Sequence, residues 1–152
     1  MDQVYDNLFV GDVNDADNQK RQKENNIEYI LNLSGSGPER DSAPSYEIVK
    51  DKTYIHIPLE DGTENSDFLI RHAIETGRKL HEKAMEEDVS LLVHCAVGSS
   101  RSVAVAASLM GLENGERVYE NVMKIKKVHP IANPVEGLEN QLNRITADIY
   151  ND

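Results

Sequence analysis

With 152 residues the chain suits one domain around a single core, and 39% hydrophobic against 28% charged residues is a globular composition. The 27 acidic and 16 basic residues give a formal net charge of −11, which argues against nucleic-acid partners because no basic stripe is present to displace phosphate counterions. No run approaches the roughly 20 apolar residues that span a bilayer, no leader-like block opens the sequence, and the single cysteine excludes an internal disulfide, so a cytoplasmic protein without membrane partners is expected.

Taken in chain order, the first apolar run is LFV at 8–10, read as a strand. Residues 12–26 are polar and helical at best. YILNL at 29–33 is a second strand, and the Gly, Ser and Pro of residues 34–45 read as a loop. YEIV at 46–49 is expected to form a short hairpin with a third strand, TYIHI at 53–57. The stretch 66–87 reads as a helix with Leu69, Ala73, Gly77, Leu80 and Ala84 on one face, capped by Asn65 or Ser66. LLVHC at 91–95 is the fourth apolar strand. A helix beginning near Ser100 or Arg101 follows, so rich in Ala and Val that it must be buried nearly all round. The next repeats Val118, Val122, Ile125 and Val128 and stops before Pro130. The last starts from Pro134, in a first-turn position that tolerates proline, and carries Leu138, Leu142, Ile145 and Ile149. The pattern is one α/β domain over 1–152: a short, mostly parallel sheet flanked by helices.

The chemistry concentrates in HCAVGSSRS, residues 94–102. A strand ends at Cys95, a helix starts near Arg101, and the loop between is small and uncharged. Its backbone N–H groups can form a nest for an anion, and the helix N-terminus adds unpaired donors. That field favours the thiolate of Cys95 over the thiol. Arg101 can fold back over the loop and hold two phosphate oxygens with its planar fork. Ser102 can donate to the sulfur, or serve only as a cap, and His94 is suited to bracing the loop by a hydrogen bond. A lone cysteine at a strand end is most often a small core residue, but the surrounding pattern turns the reading toward a nucleophile. Expelling an alkoxide or phenoxide also needs a general acid, and EDGTENSD offers Glu60, Asp61, Glu64 and Asp67 without choosing among them.

HCAVGSSRS resembles the His-Cys-x5-Arg-Ser signature of the cysteine-based protein phosphatase superfamily, and its small dual-specificity branch most of all. VYDNLFVG, IEYILNLS, YIHIPLED and HPIANPVEGLENQL resemble further segments of that branch, so the likeness extends over nearly the whole chain. The last segment departs from the pattern at His129 (for Arg), Val135 (for Asn) and Leu138 (for Phe). The resemblance implies a cysteine-phosphatase-like fold, Cys95 as nucleophile, Arg101 as phosphate clamp, and Asp61 as general acid. It implies a substrate cradle of Ala96, Val97, Gly98, Ser99, Ser100 and Arg101, with no cofactor and no metal. The implied reaction is hydrolysis of phosphotyrosine, with phosphoserine and phosphothreonine, in phosphorylated protein substrates through a phosphocysteine. The uncharged loop argues against polyphosphorylated headgroups. The alternatives are a phosphoprotein-binding module without turnover, a phosphatase of a non-protein ester, and sulfur transfer or arsenate reduction. Reductases of the last kind call for a resolving cysteine that this chain lacks. The lone thiol is also expected to be inactivated irreversibly once oxidised past the sulfenic acid.

Overall fold

The computed structural model describes residues 1–35, 45–49 and 52–152; most of the loop expected at 34–45, and the turn of the expected hairpin, lie outside them. The strands are β1 (Asp2–Tyr5), β2 (Leu8–Gly11), β3 (Ile27–Asn32), β4 (Ser45–Val49), β5 (Lys52–His56) and β6 (Ser90–His94). They form one sheet in the order β1-β2-β6-β3-β5-β4. The three inner pairings, β2 with β6, β6 with β3 and β3 with β5, are parallel. The edges are antiparallel hairpin partners, β1 on β2 and β4 on β5, the latter as YEIV foretold. β1 is absent from the sequence reading because DQVY is too polar to register as an apolar run. It forms because Asn7 takes a positive φ of 60° in the turn and donates from Nδ2 to the Val89 carbonyl at 2.7 Å.

Alternation along the inner strands divides the core in two. Leu8, Val10, Leu31, Leu91 and Val93 face a large cluster built with four helices: α3 (Asp67–Glu87), α4 (Arg101–Asn114), α5 (Val118–Val128) and α6 (Glu136–Tyr150). Phe9, Ile30 and Leu92 face a smaller cluster with Met1, Ile27 and Tyr54. On that side the polar stretch 12–26 folds into two short helices, α1 (Val13–Asp17) and α2 (Gln19–Glu24).

α4 is the central helix, with every residue from Arg101 to Leu112 buried, as its Ala and Val content required. Three expectations for the other helices need correction. On α3 the expected Ala73, Gly77, Leu80 and Ala84 are buried, but Ile70 and Ile74 join them while Leu69 sits at the edge; of the two cap candidates Ser66 is the cap, its Oγ accepting from Leu69 N–H at 3.1 Å. Val128 is exposed, because α5 ends there and the chain turns away at His129. Pro134 lies just outside α6, whose first residue is Glu136 and whose buried side chains include Leu138, Leu142, Ile145 and Ile149.

Candidate active site

The site forms where β6, bordered on both sides by parallel neighbours, runs out at its carboxyl end and hands over to the buried α4. In open α/β sheets that position collects ligands. The sheet alternation that turns Val93 and Cys95 toward the four-helix side sends Leu92 and His94 to the other. Cys95 is 2% exposed and lies at the floor of the β6–α4 loop, with Sγ 3.3 Å from Oγ of Ser102, the second residue of α4.

The loop is oriented by its carbonyls. Ala96 O accepts from Val13 N–H at 3.3 Å, Gly98 O faces His129 Nε2 at 2.6 Å, Ser99 O accepts from Asn133 N–H at 2.7 Å, and Ser100 O accepts from Ala104 N–H at 2.8 Å. The first three bonds lead outward, to α1 and the α5–α6 segment, and the fourth is the first helical bond of α4. In a trans peptide the following N–H points opposite to the carbonyl, and the described chain has no cis bonds. The amides of Val97, Ser99, Ser100 and Arg101 therefore turn to the inside of the loop. Gly98 makes the bend with φ +81°, and a Cβ there would stand 2.9 Å from the Gly11 carbonyl oxygen. Only glycine meets both demands.

Arg101 is 7% exposed. One guanidinium nitrogen donates to the Leu59 carbonyl at 3.1 Å, whereas Nε is buried with no partner. An unpaired buried donor is costly, and an oxyanion oxygen bound in the loop would relieve it.

Asp61 is brought to the same place. Its Oδ1 accepts from Ser100 Oγ at 2.5 Å, and that hydroxyl accepts in turn from Val135 N–H at 2.9 Å. The segment around Asp61 is fixed independently. Asn65 accepts from Glu60 N–H at 2.7 Å and donates to Glu60 O at 2.8 Å, while Gln141 on α6 donates to Asn65 O. Gly137 lets α6 approach this segment, since a Cβ would meet Thr63 at 2.3 Å. Of the other carboxylates considered, Asp67 is held away in a two-point ion pair with Arg144. The bonds from Arg144 and Gln141 hold its carboxyl down at about 2. Glu64 is exposed.

His94 faces the opposite side of the sheet, where it lines a cavity of about 420 Å³ with Val13, Asn32 and His56. Its Nδ1 lies 3.5 Å from the Cys95 carbonyl, at the limit of a hydrogen bond, and burial pushes its basicity below that of an ordinary histidine. Ser100, as the link between loop and acid segment, and Asn65, as the staple of that segment, carry more than the sequence reading gave them. Their i, i+5 and cross-chain pairings have no local pattern to reveal them.

Residues 8–148 match the family model described as the dual specificity phosphatase catalytic domain. The chain belongs to that family. Dual specificity protein phosphatase 22-A of Danio rerio is 27% identical over 142 residues, covering 93% of this chain and 63% of its own length. Dual specificity protein phosphatase 22 of Homo sapiens is 28% identical over 142 residues, covering 93% and 71%. The chain thus spans less than two thirds of the first of these dual specificity phosphatases. Human DUSP28 superposes with a TM-score of 0.81 at 21% identity, covering 98% of this chain and 97% of that one. A human tyrosine phosphatase-like serine/threonine/tyrosine-interacting protein does so at 0.82 and 18%, covering 100% and 98%. These superpositions establish the dual specificity phosphatase fold, and the side chains above bear on what it does here.

Proposed function

We propose that the chain is a protein phosphatase that hydrolyses phosphotyrosine, and phosphoserine and phosphothreonine as well, through a phosphocysteine at Cys95. One observation carries the reading: a thiol and a buried guanidinium with an unpaired Nε share a loop in which the carbonyls of Ala96, Gly98 and Ser99 are bonded to flanking segments. Such a loop is preorganised for the charge on a transferring phosphoryl group.

In the first step the Cys95 thiolate attacks phosphorus in line, forming the S–P bond as the ester P–O bond breaks. The loop amides and Arg101 hold the equatorial oxygens. Asp61, in its acid form, gives its proton to the leaving oxygen. In the second step the Asp61 carboxylate takes a proton from water, the hydroxyl attacks phosphorus, and the S–P bond breaks to release inorganic phosphate. Ser102 Oγ, 3.3 Å from the sulfur, donates to the thiolate as it leaves.

The rim supports an aryl ester in a protein. Val97 is 66% exposed, Val13 and Val135 are exposed on segments bonded to the loop, and residues 96–100 carry no charge. A cytoplasmic setting suits a mechanism that needs its one thiol reduced. The test is phosphate release from phosphotyrosyl, phosphoseryl and phosphothreonyl peptides beside an inositol phosphate. Peptide turnover that vanishes in Cys95→Ser, while that variant still binds the peptide, is the expected result. A faster rate on the inositol phosphate overturns the substrate class, and turnover that survives Cys95→Ser overturns the mechanism.

A further inference from the structure

His129 stands between the phosphate loop and the first strand. It is 6% exposed, with Nδ1 at 2.5 Å from Asp2 Oδ2 and Nε2 at 2.6 Å from the Gly98 carbonyl oxygen. A neutral imidazole offers one N–H and one lone pair, whereas a carbonyl and a carboxylate only accept. With a neutral ring, one of these close contacts would set a nitrogen lone pair against an oxygen lone pair. Both bonds can form together only if both nitrogens carry protons. The carboxylate of Asp2, its side chain 46% exposed and therefore still hydrated, supplies the counter-charge. No other ionisable group is recorded against the ring among the described residues. Loop residues 96–100 have none, Lys126 and Lys127 in the last turn of α5 are exposed, and Arg101 is directed at Leu59.

Gly98 is the bend of the loop, and its carbonyl is held by a side chain at close range. Pulling that oxygen outward turns the Ser99 N–H inward, and a cationic donor on the carbonyl polarises the peptide so that this N–H becomes a stronger donor. We infer that His129, held as an imidazolium between Asp2 and Gly98, is a positioning residue that aims the Ser99 amide at the phosphoryl group. The inference rests on the phosphatase reading for its consequence in turnover, but oxyanion binding tests it separately.

Orthovanadate affinity by calorimetry and separate kcat and KM values on an aryl phosphate are measured at one fixed pH for the wild type, His129→Arg, His129→Gln and Asp2→Asn, with a thermal midpoint for each. His129→Gln, with donors on one nitrogen only and no charge, is expected to lose roughly tenfold or more in vanadate affinity. His129→Arg, which keeps two charged donors, is expected to bind vanadate within about threefold of the wild type. Asp2→Asn, which removes the counter-charge without touching the loop, is expected to weaken vanadate by about threefold or more. His129→Gln with wild-type affinity, or a folded His129→Arg as weak as His129→Gln, overturns the inference. If the midpoint shows His129→Arg unfolded, Asp2→Asn decides: weakened binding supports the bridge, and wild-type affinity refutes it. A wild type that binds vanadate with this pattern yet fails to turn over ester would instead sink the phosphatase reading and leave the bridge standing.

Discussion

Ser100 shows how much one hydroxyl can join. It donates to Asp61 and accepts from Val135 N–H, so the proposed proton donor, the β6–α4 loop and the start of α6 meet at a single oxygen. Ser100→Ala should therefore lower kcat about tenfold or more with little change in thermal midpoint, since Asp61 loses its tether while the loop keeps its carbonyl anchors. Asp61→Asn should cost about 10²–10⁴ in kcat on phosphotyrosyl peptide and far less on an ester of a strongly acidic phenol, whose leaving group departs without a proton. Equal losses on both substrates would move the acid role elsewhere. His94 bears on stability. Burial holds its folded-state pKa below 6.5, so the unfolded chain takes up the proton first as pH falls. The stability that the neutral ring contributes is fully present above about pH 6.5 and declines below it, until the folded form protonates as well. Urea unfolding of wild type and His94→Asn at about pH 7.5 and 5.5 should show the wild type losing more stability between the two.

The elements that carry the site were largely legible because they are local and periodic. An apolar strand running into Cys95, a helix beginning at Arg101 and a glycine between them are written in the twelve residues 91–102, and the structure places the strand end within one residue of that reading. Three of the longer helices announced themselves by spacing and α4 by its run of Ala and Val. What stayed hidden is held by contacts distant in sequence. β1 is polar and exists through its pairing with β2, and the carbonyl anchors from Val13 and Asn133 are backbone contacts that no side-chain pattern encodes. Val128 was misjudged because periodicity continues past the point where the chain turns off. The choice among Glu60, Asp61, Glu64 and Asp67 needed geometry too, since only the fold pairs Asp67 with Arg144 and Asp61 with Ser100. At this scale Gly98→Ala is the sharpest perturbation. A methyl group at φ +81° and 2.9 Å from the Gly11 carbonyl oxygen strains the bend and tips the Gly98 peptide, so vanadate affinity should fall together with about 1–3 kcal/mol of stability.

For the molecule as a whole, a net charge of −11 surrounds a site built to receive an anion. Long-range repulsion and short-range attraction oppose each other, and salt screens the first far more than the second. kcat/KM for an acidic phosphopeptide should therefore rise with ionic strength, and that for a basic phosphopeptide should fall; the reverse order would mean that a local basic field dominates approach. In the proposed mechanism the local attraction ends in a covalent bond, with sulfur, loop amides and guanidinium together in one buried junction between β6 and α4. The most direct test of that claim is rapid acid quenching of the enzyme during turnover of a phosphotyrosyl peptide, followed by mass measurement of its proteolytic fragments. One phosphoryl group on the fragment holding Cys95, at higher occupancy in Ser102→Ala because the thiolate leaves less readily, is the predicted result. Steady turnover with that fragment unmodified in both proteins would contradict the account.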